Sequence, residues 1–292
     1  MLHYNRFMPT ADLHTHTRFS DGTDTPEELL AAAQAAGLTT VGLTDHDTAD
    51  GWDQAAEHVP SGMRVLPGAE FSTKHPGRDG ALVSVHLLGY LFDRDHPQIA
   101  AEWQRIVDER TNRGARIVES LIAAGYPITL DQVRDKAGRS NIGRPHIAGA
   151  LVDAGVIGTV GEAFEGILED GGPHHVSLRS TSLVDGIAMI VAAGGVPVIA
   201  HPRARTAAAV LSAPVLASLV DVGLAGLEVR HPDHDDVARA ELAGIASDLG
   251  LFTTGSSDYH GGNKALRIGQ ERTDDDVVEQ IIDRGAVAPF VG

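Results

Sequence analysis

Two histidines separated by one residue are the first side chains in the sequence that could carry out chemistry. His14 and His16 lie in the segment DLHTH, and Asp21 follows within SDG, which predicts a loop. If DLHTH forms a strand, residues i and i+2 face the same side, and both imidazole rings could bind one metal ion. An isolated pair of this kind is more often two exposed histidines on an edge strand. The rest of the chain therefore has to decide between these interpretations.

The same kind of side chain recurs near the other predicted strands. These side chains are Asp45 and His46 after the run VGLT, Glu70 in GAEF, His201 after VPVIA, and Asp258 and His260 after LFTTG. His86 lies inside the apolar run LVSVHLL, where by itself it would indicate a core histidine with a hydrogen-bond partner. In α/β barrels and open α/β sheets, the carboxyl ends of the strands converge on the active site. The repeated placement therefore predicts one shared metal site.

The composition is compatible with metal binding through nitrogen and oxygen ligands. The 292 residues include 15 His, 40 Asp plus Glu and no Cys, and the formal net charge is −17. The lack of Cys excludes a disulfide scaffold, a thiolate nucleophile and an iron–sulfur cluster. The acidic balance argues against long duplex nucleic acid as a partner, because phosphate neutralisation needs clustered Lys and Arg. We find no apolar run of bilayer length and no signal-peptide pattern, and we expect a cytoplasmic protein without membrane partners.

The elements that must position these residues are predicted to be strands alternating with helices. Thr25, Pro26 and Glu28 form a typical helix start, with a capping residue, a proline in the first turn and a glutamate three residues after the cap. Short apolar runs separated by helical segments such as 183–193 and 237–249 favour a parallel sheet or barrel with helices outside. The tail over 274–292 predicts one more helix and an extended end.

A central segment interrupts this alternation. Apolar residues recur at spacings of three to four from Trp103 to Ile122, which predicts a long amphipathic helix, and Pro145 begins another helix. No clear strand occurs between about residues 95 and 195. We therefore expect an α/β domain over residues 9–92 and 181–292, and a helical insertion domain over residues 93–180 that shapes the substrate pocket.

Several of these segments together resemble a known family. DLHTHTRFSDGT, GLTDHD, GAEF, VHLLGY, IAHP and SSDYHG, in this order, are similar to the motifs of the PHP (polymerase and histidinol phosphatase) family. The resemblance covers about residues 10–92 and 181–262 and implies an α/β fold, a distorted (β/α)7 TIM-like barrel. The central segment, with SNIGRPHIAGALVDAG, resembles the branch of stand-alone phosphoesterases that act on nucleotides and short RNA.

The resemblance also implies two or three divalent metal ions and their ligands. Mn²⁺ is favoured, with Fe²⁺, Zn²⁺ or Mg²⁺ as alternatives. Asp21 stands where several relatives have histidine, and the oxygen-rich position that results favours Mn²⁺, Fe²⁺ or Mg²⁺ over Zn²⁺. The implied positions are held by His14, His16, Glu70 and Asp258; by Asp21, His46 and His201; and by Glu70, His86 and His260. The candidates for catalytic roles are Asp45, His201 and His260, with Asp45 expected to orient a ligand histidine.

The implied reaction is the hydrolysis of a phosphate ester. Metal ions neutralise the ester oxygens and lower the pKa of a bridging water, and we expect attack by a metal-bridging hydroxide without a covalent intermediate. A protonated histidine or a metal-bound water could act as general acid, and the sequence does not choose between them.

Arginines are the candidates for contact with the substrate. Arg144 and His146 stand at a predicted helix N-terminus, where free N–H groups attract anions and the guanidinium could bind a phosphate. On physical grounds a surface arginine at a helix start is an equal alternative, and the resemblance favours binding. Arg18 and Arg203 are similar candidates with less support, whereas His231 and His234 are expected at the surface.

The sequence as a whole predicts a metal-dependent phosphoesterase, a monomer or small homo-oligomer. Its expected partner is a small phosphorylated nucleotide, such as a 3′,5′-bisphosphonucleotide, or a short RNA end. Alternatives with the same chemistry are a 5′-3′ exoribonuclease on short RNA and a histidinol phosphate phosphatase, and the helical segment weighs against the latter. More remote alternatives are a metal-dependent amidohydrolase and a non-catalytic PHP scaffold. Lys74, Lys136 and Lys264 fall in predicted loops or beside helices, where none is suited to bridge metals as in an amidohydrolase.

Overall fold

The computed structural model describes residues 10–138, 142–169, 171–176, 180–204 and 206–292, without the side chain of Arg110. Ser140 and Asn141, which begin the motif SNIGRPHIAG, lie outside the described residues, as does the stretch 177–179 near the end of the central segment.

Strands and helices alternate through most of the described chain. The strands are β1 (Ala11–Thr15), β2 (Thr40–Leu43), β3 (Arg64–Pro76), β4 (Leu82–Tyr90), β5 (Thr181–Ser182), β6 (Val196–Ile199), β7 (Gly226–Arg230), β8 (Phe252–Gly255) and β9 (Phe290–Val291). The helices are α1 (Pro26–Ala35), α2 (Trp52–Glu57), α3 (Pro97–Ala123), α4 (Leu130–Ala137), α5 (Arg144–Asp153), α6 (Val160–Phe164), α7 (Leu183–Ala192), α8 (Ala213–Val220), α9 (Asp236–Leu249) and α10 (Asp275–Arg284). Short 3₁₀ turns occupy Ala207–Ala209 and Gly261–Asn263.

The main path of the sheet runs β1-β2-β3-β4-β6-β7-β8 and is mixed rather than parallel throughout. β1, β2 and β3 pair in parallel, as do β6, β7 and β8, and β4 joins the two sets by running antiparallel to β3 and β6. The expectation of a parallel sheet is wrong at β4 because β3 and β4 form a hairpin, closed by a hydrogen bond from Gly77 N to Ala81 O, with no crossover helix between them. A bridge between Thr15 and Tyr259 nearly closes the sheet into a barrel.

The backbone contacts divide the chain into two compact units. One combines the residues up to Ala100 with those from Ser180 to Gly292, and the other runs from Ala101 to Arg179. The first unit contains the strands, and its buried core includes Leu13, Leu66, Leu88, Val198 and Val278. The second unit, within its described residues, is helical and has a core of its own.

The helical unit packs its own apolar side chains together. Ile117, Val118 and Leu121 on α3 lie in one buried cluster with Val133 from α4 and Leu151 from α5. Burial of each aliphatic side chain of this size stabilises the fold by about 1.5–3 kcal/mol. Part of the three-to-four spacing that predicted the long helix, at Ile117, Val118 and Leu121, is therefore the spacing of a buried face, whereas Val107 and Ile122 are exposed.

Local signals in the sequence explain where several helices begin. Thr25 caps α1 by accepting from Glu28 N, while Glu28 Oε2 accepts from Thr25 N at 2.8 Å, and this confirms the predicted helix start. Thr129 and Gln132 form the same arrangement at α4. Two predictions about strands were wrong. Lys74, expected in a loop or beside a helix, lies in β3, which runs to Pro76, and the two-residue strand β5 lies in a stretch where no strand was expected.

No helix among the described residues is both long enough and apolar enough to span a bilayer.

Candidate metal centre

The predicted metal ligands lie near or beyond the ends of strands, except for Glu70 and His86, which lie within β3 and β4. His14 is in β1 and His16 follows it, Asp21 lies in the loop before α1, His46 follows β2, Glu70 is in β3, His86 is in β4, His201 follows β6, and Asp258 and His260 follow β8. His86 can join the others from within its strand because β4 runs in the opposite direction to its neighbours.

Glu70 is the carboxylate around which the histidines are arranged. Its side chain is 1% exposed. Its two oxygens face five imidazole nitrogens: His14 Nε2 at 3.0 Å, His16 Nε2 at 3.1 Å, His46 Nδ1 at 3.4 Å, His86 Nδ1 at 2.7 Å and His201 Nε2 at 3.1 Å. Oε2 faces the first three rings and Oε1 faces the last two. A carboxylate divided in this way is suited to bridge two cations.

Within the part of the chain that the structure describes, three groups of side chains bring potential ligand atoms within 4.8 Å of one another. They are His14, His16, Glu70 and Asp258; His16, Asp21, His46 and His260; and His46, Glu70 and His86. The first group is the one implied by the resemblance. In the second group His260, whose Nε2 lies 3.1 Å from Asp21 Oδ1, stands where the resemblance implied His201, and His16 joins it. In the third group His46 stands where it implied His260, and His201 is in none of the three groups, although its Nε2 lies 3.1 Å from Glu70 Oε1.

The protonation sites of two histidines leave a nitrogen available for a metal ion. His14 Nδ1 lies 3.1 Å from Glu228 Oε1, and His260 Nδ1 lies 2.7 Å from the carbonyl oxygen of Asp258. Both partners are acceptors, and in the neutral ring each Nδ1 therefore carries the proton and each Nε2 keeps its lone pair. In the neutral form His260 is thus arranged as a ligand rather than as an acid through Nε2.

Buried nitrogen atoms without hydrogen bonds test whether this donor set fits metal ions. His16 Nε2 and His46 Nδ1 are both buried and have no hydrogen-bond partner among the described residues. A buried polar atom left without a partner costs about 1–3 kcal/mol. Metal ions would satisfy these atoms, and imidazole with carboxylate is a donor set typical of Mn²⁺, Fe²⁺ and Zn²⁺ sites. The residues therefore fit the ions that the sequence predicted.

The charges of the centre depend on one another. Burial alone would raise the pKa of Glu70, but the histidines around it, chiefly His46 and His14, hold that pKa well below its usual range. Burial would likewise raise the pKa of Asp258, but His14 lowers it. Burial would lower the pKa of His14, but Glu70 and Glu228 raise it well above its usual value. The carboxylates therefore stay ionised, and in the metal-free protein the raised pKa values of His14 and His16 favour positive charge on these two rings.

The backbone at two of these residues is in the left-handed region that glycine favours. The φ angle is 29° at His201 and 54° at Asp258. Such angles cost free energy in residues with a Cβ atom and occur most often where function requires them. They turn both side chains inward immediately after a strand has ended.

Glu228 and His231 belong to this region, although the sequence analysis did not assign them to it. Glu228 is fully buried, contacts His14 through Oε1 and accepts from His201 N through Oε2 at 2.8 Å. His231 and His234 were expected at the surface, and this was wrong: both are buried at the end of β7. A charged residue in the apolar run LAGLEV was the available signal for Glu228.

Asp45 does not contact a histidine directly in the described structure. Its Oδ1 accepts from Thr17 N at 2.7 Å and from Ser20 Oγ at 2.6 Å, and its Oδ2 accepts from Thr17 Oγ1 at 2.7 Å. Ser20 Oγ in turn lies 3.5 Å from His16 Nδ1. Asp45 therefore fixes the loop after β1, and any effect on His16 passes through Ser20.

The arginines that were predicted to contact the substrate differ in the interactions that they already make within the protein. Arg203 donates to both carboxylate oxygens of Glu241 and to Leu211 O at 2.9 Å. Arg18 is exposed and lies over the ring of its neighbour Phe19.

Arg144 and His146 belong to the helical unit. Arg144 donates to Leu168 O at 3.3 Å and lies over the Phe164 ring, and His146 Nδ1 accepts from Gly143 N at 3.0 Å. Their role in binding remains a prediction.

The chain is similar to known proteins over most of its length. The family profile described as PHP domain matches residues 12–135. A 3′,5′-nucleoside bisphosphate phosphatase of Chromobacterium violaceum is 34% identical over 257 residues, 87% of this chain and 88% of the relative. A 5′-3′ exoribonuclease of Haemophilus influenzae is 32% identical over 252 residues, with coverages of 85% and 89%. A solved structure described as a metal-dependent phosphoesterase of Bifidobacterium adolescentis is 37% identical, with a TM-score of 0.70 over 96% of this chain and 98% of the other.

Proposed function

The chain belongs to the PHP domain family and is a metal-dependent phosphoesterase, and from that premise we propose that it removes a phosphate group from a small nucleotide. The substrate class we favour is a nucleoside 3′,5′-bisphosphate. A relative named for this activity matches the chain over most of both sequences, which supports the choice. The strongly acidic composition also favours a small substrate over a long polyanion.

One observation carries this proposal: five histidines are arranged around the buried carboxylate of Glu70. The ions would be held by the three groups described above, with Glu70 shared between two of them and His201 beside it. Bound divalent ions would neutralise phosphate oxygens and lower the pKa of a water molecule. We propose Mn²⁺ as the native metal because the groups combine imidazole with carboxylate oxygens.

The protein residues have separate tasks in this proposal. Glu228 fixes the proton of His14 on Nδ1 and thereby directs Nε2 into the site. Asp45, through Thr17 and Ser20, holds the loop that carries Asp21. Burial of His14, His16 and Glu70 keeps bulk water away from the charged groups.

A panel of phosphate esters, assayed with Mn²⁺ before and after chelation, tests the proposal. It should contain nucleoside 3′,5′-bisphosphates, 3′- and 5′-mononucleotides, 5′-phosphorylated short RNA, histidinol phosphate and an amide substrate. We expect metal-dependent release of inorganic phosphate, with the highest kcat/KM on a nucleoside 3′,5′-bisphosphate. Cleavage of the amide without release of phosphate would contradict the proposal, and a preference for histidinol phosphate would correct the substrate class.

A 5′-3′ exoribonuclease is the second candidate, supported by the similarity to the Haemophilus influenzae enzyme of that name. The two activities differ in the bond that is broken. Short RNA carrying a 5′ label would release labelled mononucleotides if the exonuclease activity dominates, and labelled inorganic phosphate if only the terminal monoester is hydrolysed.

We further propose that the helical unit contributes to substrate binding through Arg144 and His146. Arg144→Met should then raise KM for a bisphosphate at least about tenfold, the loss of one charge-assisted contact, with kcat nearly unchanged. An unchanged KM in a folded variant would contradict this role.

A further inference from the structure

The two oxygens of Asp258 face different partners. Oδ1 lies 3.4 Å from His14 Nε2, 3.3 Å from His16 Nε2 and 3.6 Å from His260 Nδ1. Oδ2 faces away from this group, toward Lys264 Nζ at 2.6 Å and His231 Nε2 at 3.7 Å. One oxygen is therefore directed at the candidate metal position, and the other is held from outside it.

The loop that carries Lys264 is tied to the loop that carries Asp21. Gly262 N donates to Thr23 Oγ1 at 2.8 Å, and Asn263 Nδ2 donates to Asp21 O at 2.8 Å. These bonds fix the start of the segment from which the lysine reaches Asp258. Its side chain is 30% exposed, and the ion pair is therefore only partly screened by water.

His231 presents a proton to the same oxygen of Asp258. Its Nδ1 accepts from Asp233 N at 3.1 Å, and the proton of the neutral ring is therefore on Nε2. The side chain is 1% exposed, and Nε2 has no hydrogen-bond partner among the described residues. A buried N–H group without a partner is unfavourable. A small movement of Asp258 toward His231 would satisfy it.

We propose that Lys264 and His231 are positioning residues that hold Oδ2 of Asp258, so that Asp258 offers only Oδ1 to a metal ion. A carboxylate without these partners can rotate and bind an ion through both oxygens, which changes the number of ligands around the ion. The inference rests on the proposed metal-dependent function.

Cobalt(II) titration of the metal-free protein tests the proposal without any enzymatic assay. The visible absorption of Co²⁺ weakens as its coordination number rises. In Lys264→Met we expect a weaker visible band than in the wild type and an affinity for Co²⁺ that is lower by about 10- to 100-fold. In the Mn²⁺-loaded protein we expect kcat to fall and KM to stay within about twofold, because Lys264 acts through Asp258.

Lys136 provides a matched control. It pairs with Asp153 at the same distance, 2.6 Å, and its side chain is 32% exposed, but it lies in the helical unit. Lys136→Met should leave the Co²⁺ spectrum unchanged. Lys264→Arg, which keeps a cation for Oδ2, should restore most of the wild-type spectrum.

His231→Phe keeps a ring of similar size and removes the Nε2 proton, and it should weaken the band in the same direction as Lys264→Met, to a smaller extent. If this buried substitution prevents folding, the Lys264 variants decide the question alone. An unchanged spectrum and affinity in Lys264→Met would overturn the proposal, as would a rise in KM alone, which would assign Lys264 to the substrate. A wild-type protein that binds no Co²⁺ and releases no phosphate would instead overturn the proposed function.

Discussion

At the scale of single residues, the centre is a set of buried charges that only one another can stabilise. An ionised carboxylate at the position of Glu70 would be very costly in an apolar interior, and the facing imidazoles offset that cost. The same contacts place nitrogen atoms around both oxygens, where cations would bind. The residues that balance the charge without metal are thus the residues that would hold the metal.

Replacing Glu70 tests this arrangement most directly. Glu70→Gln keeps the shape but removes the charge and points an amide N–H₂ group at imidazole nitrogens that would bind metal. We expect turnover to fall at least about 100-fold, with a loss of bound metal measured by elemental analysis. Glu279→Gln, which changes an exposed carboxylate paired with Arg64, is the control. Full activity in folded Glu70→Gln would remove the bridging role.

Glu228 should act on a bound metal ion through the residues that it holds, chiefly His14. Glu228→Gln weakens the hold on the Nδ1 proton of His14 and on the backbone N–H of His201. We expect metal affinity to fall by about 10- to 100-fold, measured by calorimetric titration with Mn²⁺, and activity to recover at high metal concentration. Activity that stays low at saturating metal would show that Glu228 does more than orient His14.

The sequence predicted which side chains come together at the candidate centre, but not how they are grouped. Strand ends are visible in the sequence, and the structure brings His14, Glu70 and Asp258 close to one another. Which histidine lies beside Asp21 depends on how far the loops after β6 and β8 turn inward, and this is set by the positive φ angles at His201 and Asp258. Non-glycine residues give no local signal of such angles.

At the scale of secondary structure, the direction of β4 explains the position of His86. A parallel strand would present its ligand near the carboxyl end, whereas β4 presents His86 from its middle because it enters as the second strand of a hairpin. The segment HPGRDGA contains the proline and glycines typical of a tight turn between two strands. The sequence therefore contained the turn signal of the hairpin, although the alternation of strands and helices suggested that β4 would run parallel to its neighbours.

The loop after β8 should tolerate no side chain at Gly261. Its φ is 63°, and a Cβ atom there would overlap Thr23 Oγ1 in the loop that follows β1. Gly250, at the end of α9, has a similar φ of 67° with no atom near its Cβ position. Gly250→Ala should cost about 1–2 kcal/mol of unfolding free energy for the backbone conformation alone.

We expect Gly261→Ala to add about 1–3 kcal/mol to that cost and to reduce activity, because the clash displaces the loop that carries Asp21. Chemical denaturation and phosphate release measure the two effects. Equal stability and equal activity in the two variants would contradict the role assigned to the contact between these loops.

At the scale of the whole molecule, the metal-free protein should become less stable as pH rises, and bound metal should remove this dependence. The raised pKa values of His14 and His16 mean that their protonated forms stabilise the metal-free protein. This contribution is complete below about pH 6.5 and is lost as pH rises through the raised values. We therefore expect the Tm of the chelated protein to fall as the pH rises above about 6.5.

Metal should remove this dependence, because metal ions replace the protons and bind better as the histidines lose them. The difference in Tm between loaded and chelated protein should thus grow with pH, as measured by calorimetry in the two conditions. A chelated protein whose Tm rises over this range would show that the two histidines are not protonated as described.

The near-closure of the sheet has a consequence for how the barrel opens. β1 meets the chain after β8 through the hydrogen bond from His16 N to Tyr259 O at 2.8 Å; His16 is itself a candidate ligand, and Tyr259 lies between the candidate ligands Asp258 and His260. This seam is therefore formed by residues that would bind the cations or lie directly beside those that would. Removing the cations should loosen the seam before the rest of the barrel, and deuterium should enter at the His16 amide sooner than at the amides of β2 or β7. If the amide of His16 and the amides of β2 and β7 exchange at the same rate, the barrel opens as one unit and the cations do not hold the seam closed.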